Sequence, residues 1–223
     1  MKLIIQIALW LIIIFLGYKL YSSISGPMQF NKTKEARYGK IINNLKDIQA
    51  AELAHQAITG SFTGSFDSLV RFVDTARFAI TARRDTSYAD VEKNRAFGLD
   101  ARTGGYYVEE SVVDTLGFTP VRDSLYGGSD RYKRMMDVPV EGVDSKFELR
   151  AGKLEKNNTL YSVFEARVPK ALVLDDQPSD LLAQENQVIS VDGVNGAYIK
   201  VGSMEDVDTS GNWPKIYDAP KNQ

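Results

Sequence analysis

The first part of the chain carries two apolar patterns in succession. Leu3 to Tyr18 is a run of sixteen residues without a charge and with a single amide side chain, that of Gln6. From Asn31 to about Thr59, apolar residues recur at spacings of three and four, which predicts a helix with one packed face. Because such a face must be covered, we predict that it contacts either a sheet of the same chain or a partner protein. Its positions are Ile41, Leu45, Ile48, Ala51, Ala54 and Ile58.

The uninterrupted apolar run is typical of a membrane anchor. A helix needs about 20 apolar residues to cross a hydrocarbon core of about 30 Å, and extending the run to Tyr21 admits only Lys19, whose long side chain can reach the interface. A cleavable signal peptide is the alternative, with Ser22–Gly26 as a weak cleavage site, but the run exceeds the usual length of about 7–15 residues. We therefore predict an uncleaved transmembrane signal anchor over residues 1–21.

Proline and glycine divide the rest of the chain. Gly26-Pro27 is predicted to end the anchor helix, because proline lacks the backbone N–H that a helix interior needs. Residues 22–30 are therefore a predicted linker. Residues 31–223 are predicted to form one domain, helical over 31–75 and mainly stranded over 105–215.

Turn residues refine the boundaries of the helical part. Gly60 is predicted to end the long helix, since glycine adopts the left-handed conformation found there. Ser65 is predicted to cap a second, short helix that has Asp67 in its first turn. The charged and mixed residues from Thr75 to Arg102 predict a loop with some helix.

Alternation and turn residues predict strands in the second half. Tyr106–Val113 is rich in β-formers, and residues 146–168 alternate around Asn157-Asn158, which predicts a hairpin. Residues 187–203 contain an Asp-Gly and an Asn-Gly pair, which predict a second hairpin. The predicted fold class is α+β, with a long amphipathic helix packed on an antiparallel sheet.

Charge and composition exclude several function classes. With 27 basic and 29 acidic residues, the chain has no broad basic field for nucleic acid. It has no cysteine, and therefore no disulfide, thiolate nucleophile or cysteine metal site. The one histidine, His55, has no second ligand at a helical spacing. We expect no enzyme activity, no cofactor and no metal site.

A tripeptide of Asp, then Ser or Thr, then an apolar residue occurs four times. It is similar to the O-glycosylation acceptor pattern of Bacteroidota, which is modified in the periplasm. The repeats favour an extracytoplasmic domain, whereas the positive-inside rule, applied to Lys19 and the basic residues of 32–40, favours a cytoplasmic one. We predict a single-pass inner-membrane protein with its domain in the periplasm. The candidate acceptors are Ser68, Thr75, Thr115 and Ser124.

The order of elements over residues 3–75 resembles that of type IV pilins and pseudopilins. An apolar N-terminal segment leads into an Ala-rich amphipathic helix, and residues 60–69 read G-S-F-x-x-S-x-x-x-L. In those proteins the long helix ends at G-x-Y-P-x-x-L and an antiparallel sheet packs on it. The resemblance therefore implies a pilin-like arrangement of helix and sheet.

The whole chain is also similar to single-pass envelope proteins of Bacteroidota. The stretches that carry this similarity include "DSLYGGSDRYKRMMDVPV", residues 123–140, and "VGSMEDVDTSGNWPK", residues 201–215. The resemblance implies association with energy-transducing systems of the TonB/ExbB/ExbD type, which contain a proton channel.

The expected function is that of a non-enzymatic structural or accessory subunit of an envelope complex. The expected partners are the membrane and other inner-membrane or periplasmic proteins, and not nucleic acid. A pilin-like assembly protein of a secretion or filament system is one alternative. A periplasmic module that binds glycan or peptide is another, for which aromatic side chains would supply contacts. These are Tyr106, Tyr107, Tyr126, Tyr132 and Trp213.

Overall fold

The computed structural model describes residues 2–100 and 102–218 and confirms the α+β class. The helices are α1 (Lys2–Thr59), α2 (Phe66–Thr75), α3 (Val91–Phe97), α4 (Val121–Tyr126), α5 (Lys170–Val173) and α6 (Ser179–Asn186). The strands are β1 (Arg77–Ala89), β2 (Tyr107–Pro120), β3 (Glu148–Lys156), β4 (Thr159–Pro169) and β5 (Tyr198–Gly202). The chain divides into two compact units, Val73–Ser129 and the remainder.

Helix α1 runs without interruption from Lys2 to Thr59, so the predicted linker over residues 22–30 is wrong, and Asn31 does not start a second helix. Pro27 lies inside α1. Proline removes one backbone hydrogen bond at a cost of about 3 kcal/mol, but the bonds of the turns on both sides persist in a helix of 58 residues. At 1.5 Å per residue, α1 is about 87 Å long.

The two halves of α1 have opposite environments. The large apolar side chains from Leu3 to Tyr21 are each more than half exposed, and among the described residues this is the one helix long and apolar enough to span a membrane. Burial begins at Phe30 and continues through Tyr38 to Ala54. The first half is therefore compatible with a transmembrane or signal anchor, and the second half is the central helix of a folded unit.

The larger unit is built on a three-stranded antiparallel sheet in the order β3-β4-β5. β3 and β4 form the hairpin predicted from the sequence, with Lys156 opposite Thr159. Asn157 and Asn158 both have positive φ angles, 53° and 60°, as the tight hairpin turn requires. α1 packs on β4 and β5. The core between them includes Ile41, Ile42, Leu45, Ile48, Phe164, Val168, Ile199 and Val201.

The second predicted hairpin does not form. β5 pairs with β4, and residues 188–196 close a loop in which the Gly196 N–H donates to the Val188 carbonyl at 3.0 Å. The ammonium of Lys170 binds the Val194 carbonyl at 2.7 Å. The Lys170 ammonium therefore ties this loop to α5.

The smaller unit contains a long two-stranded hairpin. β1 pairs with β2 along thirteen residues, with one irregularity between Ile80 and Thr81. The predicted strand at 106–113 is confirmed from Tyr107 and continues to Pro120. The segment 75–102, predicted as a loop with some helix, contains the helix α3, but it also contains the strand β1, which the sequence did not predict. β1 lacks a regular alternation of apolar residues because most of its side chains are exposed on both faces.

Candidate functional site

Four side chains fasten α1 to the larger unit where the helix enters it. We call Lys34, Tyr38, Lys170 and Glu185 the polar clamp. Glu185 on α6 accepts hydrogen bonds from Lys34 Nζ at 2.9 Å, from Lys170 Nζ at 3.0 Å and from the Tyr38 hydroxyl at 3.2 Å. The clamp therefore joins α1, α5 and α6 through one carboxylate.

The buried members of the clamp are saturated with hydrogen bonds. Lys170 is 0 % exposed, and its three N–H groups reach the Glu185 carboxylate, the Glu185 carbonyl at 2.8 Å and the Val194 carbonyl at 2.7 Å. Burial lowers the pKa of Lys170, although the carboxylate of Glu185 opposes this shift. Burial and the same carboxylate raise the pKa of Tyr38. With every donor of Lys170 used, the arrangement is suited to hold elements together and not to transfer protons.

Further polar contacts line α1 beyond the clamp. Arg37 makes a two-pronged ion pair with Asp176 at 2.6 and 2.8 Å and also donates to the Val173 carbonyl at 2.8 Å. Arg37 lowers the pKa of Asp176 to about 2. Gln49, further along α1, donates to the Thr209 carbonyl at 2.6 Å. These contacts fix both the position and the rotation of the helix in its unit.

A buried carboxyl lies where α1 ends. Glu52 is fully buried and accepts from the Thr63 backbone N–H at 3.0 Å through Oε2. Within the part of the chain that the structure describes, its Oε1 has no hydrogen-bond partner. Burial raises the pKa of Glu52 to about 7. The sequence did not single out this residue, because only the turn that follows α1 brings a donor to it.

The turn after α1 is anchored on the sheet. Gly60 has the left-handed conformation expected at a helix end, with a φ of 83°. The Phe62 N–H donates to the Ser162 hydroxyl at 3.0 Å, and the rings of Phe62 and Phe164 lie 4.7 Å apart. This stretch is therefore a packing element of the larger unit.

The predicted partner-facing stripe lies mostly inside the protein. Five of its six residues are buried, and Ile58 is 43 % exposed. The covering surface includes β4 and β5, so the protein's own sheet occupies this face of α1. The buried residues are Ile41, Leu45, Ile48, Ala51 and Ala54.

The four candidate acceptors of glycan are all exposed. Ser68 and Thr75 lie on α2, Thr115 lies on β2 and Ser124 lies on α4. Their exposure is compatible with modification, which stays a prediction.

The aromatic residues proposed for ligand binding differ in exposure. Tyr126 and Tyr132 are buried, and therefore cannot contact a ligand in this fold. Tyr106 and Tyr107 are exposed at the end of the long hairpin. Trp213 lies over Gly211, where a Cβ would collide with its ring.

The structure supplies an ordinary role for the one histidine. His55 Nδ1 donates to the Ser61 carbonyl at 2.6 Å, and its ring contacts Phe72 edge-on at 4.8 Å. It thereby bridges the end of α1 and the following turn. Among residues 2–100 and 102–218, no group of three or more His, Cys, Asp or Glu side chains could hold a metal ion.

The long hairpin is the other prominent surface, and the sequence did not reveal it. Large apolar side chains project from it into solvent, and among the described residues its sheet consists of β1 and β2. Isolated two-stranded ribbons are marginal in water, and unpaired edges readily accept another strand. The exposed apolar residues of its two strands include Ile80, Tyr88, Tyr107, Val113, Leu116 and Phe118.

Comparison with known proteins adds no relative: the chain matches no family model, no curated protein and no solved structure. The functional conclusion therefore rests on the geometry of α1, the polar clamp and the hairpin.

Proposed function

We propose that the protein is a non-enzymatic, inner-membrane-anchored subunit of an envelope complex, with its folded units in the periplasm. The observation that supports this proposal is the continuity of α1. One helix is apolar and exposed from Leu3 to Tyr21 and is the buried central helix of the larger unit from Phe30 onward. Anchor and domain thus share one rigid element.

The continuity of α1 keeps the larger unit near the bilayer. Phe30 lies only nine positions after Tyr21, which corresponds to about 14 Å of helix. A flexible linker of that length would let the domain reorient freely, whereas a helix holds it at one height. Such an element suits a subunit that must meet fixed neighbours.

The long hairpin supplies a surface for such neighbours. Contiguous exposed apolar side chains on a soluble protein mark interaction sites. Leu116 and Phe118 are among the most exposed of them, and an added strand at a free edge would supply backbone hydrogen bonds as well. We propose that the hairpin contacts other envelope proteins, and that the partner system is of the TonB/ExbB/ExbD type.

Affinity purification of the full-length chain in mild detergent tests this function. We expect the proton-channel subunits to co-purify with the tagged protein. The variant Leu116→Ser/Phe118→Ser should reduce their recovery several-fold. The control Ile216→Ser, which changes an even more exposed apolar residue outside the hairpin, should not. Recovery of the tagged protein alone would sink the proposal, and recovery of filaments of the chain itself would favour a pilin-like assembly protein.

The rigid connection has its own test. A seven-residue Gly-Ser insertion after Ser25 should weaken function in cells, whereas a seven-residue helical insertion of Ala, Glu and Lys at the same point adds about 10 Å without a joint. Equal activity of both insertions at equal protein levels would contradict a functional role for the rigid connection. Better function with the helical insertion is the expected result.

A further inference from the structure

The contacts along α1 order the larger unit relative to the apolar run. Lys34, thirteen residues after Tyr21, contacts Glu185 of α6. Gln49, fifteen residues further along the helix, contacts Thr209. Because a helix advances 1.5 Å per residue, these two contacts lie about 22 Å apart along its axis. The part of the unit nearest the apolar run is therefore α6 with the loop that follows it.

The direction of β5 agrees with this order. Its last residue, Gly202, donates its N–H to the Ser210 carbonyl at 2.9 Å, beside Thr209 at the far level of α1. Its first residue, Tyr198, pairs with Pro169, next to Lys170 of the polar clamp. β5 thus runs away from the apolar run, and the loop that precedes it lies on the near side.

Hydrogen bonds hold the loop over residues 188–196 in a defined conformation, and two of its apolar side chains are exposed. The Gly196 N–H closes it on the Val188 carbonyl, and the Ser190 N–H donates to Asn195 Oδ1 at 2.8 Å. Ile189 is 92 % exposed and Val191 is 91 % exposed. Exposing two β-branched apolar side chains to this extent is unfavourable in water, and transfer to an apolar environment would be favourable.

We propose that Ile189 and Val191 insert into the interfacial layer of the same membrane that α1 crosses, as a second attachment point beside the anchor. The inference rests on the proposed membrane anchoring. The surface that covers Ile189 and Val191 is the lipid interface. The reason is that exposed apolar residues of α1 continue past Tyr21, at Ile24 and Met28, toward the level of this loop.

The distances match such an insertion. Tyr21 and Lys34 are about 20 Å apart along the helix, and the polar layer adds about 5–8 Å on each side of the hydrocarbon core. The remaining gap is about 12–15 Å. Three residues of chain, as from Val188 to Val191, reach at most about 10 Å, and the side chains of Ile189 and Val191 add to this reach. A helix tilt of about 20°, which is common, brings one side of the unit closer still.

The chemistry of the loop indicates an apolar contact and not an electrostatic one. Residues 187–198 contain no lysine or arginine, and Asp192 is their one charged side chain. Attraction to anionic lipid needs basic residues. The insertion should therefore occur in zwitterionic lipid and should not weaken when the salt concentration is raised.

The absence of cysteine allows a direct measurement on the full chain. Single-cysteine variants Ile189→Cys, Val191→Cys, Ile216→Cys and Ile13→Cys would carry a nitroxide label in nanodiscs of phosphatidylcholine. Collision with oxygen, which concentrates in lipid, would be compared with collision with a water-soluble nickel complex. Ile216 is the matched control, because it is 78 % exposed and neighbours Tyr217, which contacts α1 at Lys46, about 18 Å farther along the helix than Lys34.

The expected result is several-fold less collision with the nickel complex at positions 189 and 191 than at 216, at both low and high salt. Equal, water-like accessibility at 189, 191 and 216, with position 13 in lipid, would overturn the second attachment point and leave the anchor intact. A water-accessible label at position 13 would overturn the anchoring on which both proposals rest. Protection at 189 that requires anionic lipid would contradict the apolar contact.

Discussion

Glu185 accepts hydrogen bonds from Lys34, Tyr38 and Lys170, so replacing it with leucine leaves three donors without their acceptor. Lys170 is the member most affected, because it is fully buried and keeps only two carbonyl partners, those of residues 185 and 194. Removing one partner of a buried ion pair costs about 3–5 kcal/mol, since the remaining charge stays in a medium of low dielectric. We expect Glu185→Leu to destabilise the larger unit by that amount.

The double variant Lys170→Met/Glu185→Leu tests whether the loss of stability comes from the charge left unpaired in the single variants. Replacing a buried ion pair by apolar residues of similar volume is often neutral or stabilising. We therefore expect the double variant to recover most of the stability that either single variant loses. Lys34 is partly exposed and can regain water, so its loss of a partner contributes little.

Unfolding by urea in detergent micelles would measure these differences. Trp213 is the only tryptophan outside the apolar run, so its fluorescence in a Trp10→Phe background reports on the larger unit alone. With a denaturant slope of about 2 kcal/mol per molar urea, a loss of 3–5 kcal/mol lowers the midpoint by about 1.5–2.5 M. A change below about 0.5 M for Glu185→Leu, or a double variant no more stable than the single ones, would refute the clamp as a buried ion-pair network.

Two further predictions concern other buried features. The pKa of Glu52 is raised from 4.5 to about 7 in the folded state, so the folded protein binds a proton more tightly than the unfolded chain. Stability should therefore fall as pH rises from about 4.5 to 7 and then stay constant, and Glu52→Gln, which keeps an acceptor for the Thr63 N–H, should remove about 3–4 kcal/mol of this dependence. An unchanged pH profile of the variant in urea titrations would contradict this assignment. Gly202→Ala should lower stability by several kcal/mol, because its Cβ would collide with the Phe164 carbonyl and its φ of 75° would be strained. The control Gly142→Ala has a φ of 82° but open space around the Cβ, so it should cost only about 1–2 kcal/mol of backbone strain. Equal decreases in melting temperature for the two variants would rule out the steric cause.

The sequence was most informative where one local pattern decided the structure. The spacing of Ile41, Leu45 and Ile48 correctly indicated a helix with a packed face, because burial of a stripe imposes its own period. Asn157-Asn158 marked a hairpin turn because both residues tolerate positive φ. The sequence could not say what covers the stripe, since the sheet that does so lies more than one hundred residues later.

Three features were beyond local patterns for separate physical reasons. Pro27 indicates a helix end by its missing N–H, but the regular turns on both sides outweigh one lost bond. β1 was missed because a ribbon exposed on both faces has no need to alternate apolar and polar residues. The polar clamp joins residues as far apart in the sequence as Lys34 and Glu185. The spacing of charged residues along a chain does not indicate which of them form ion pairs in the fold.

The continuity of α1 through residues 22–29 also has a rotational consequence. Each helical residue turns the following chain by about 100°, so the number of residues between Tyr21 and Phe30 sets which side of the larger unit faces a neighbour that is fixed in the membrane. Deleting or adding one residue would move the unit by only 1.5 Å but turn it by more than a quarter of a revolution. In this protein, the length of the helical segment between the anchor and the larger unit therefore determines the rotation of that unit about the helix axis.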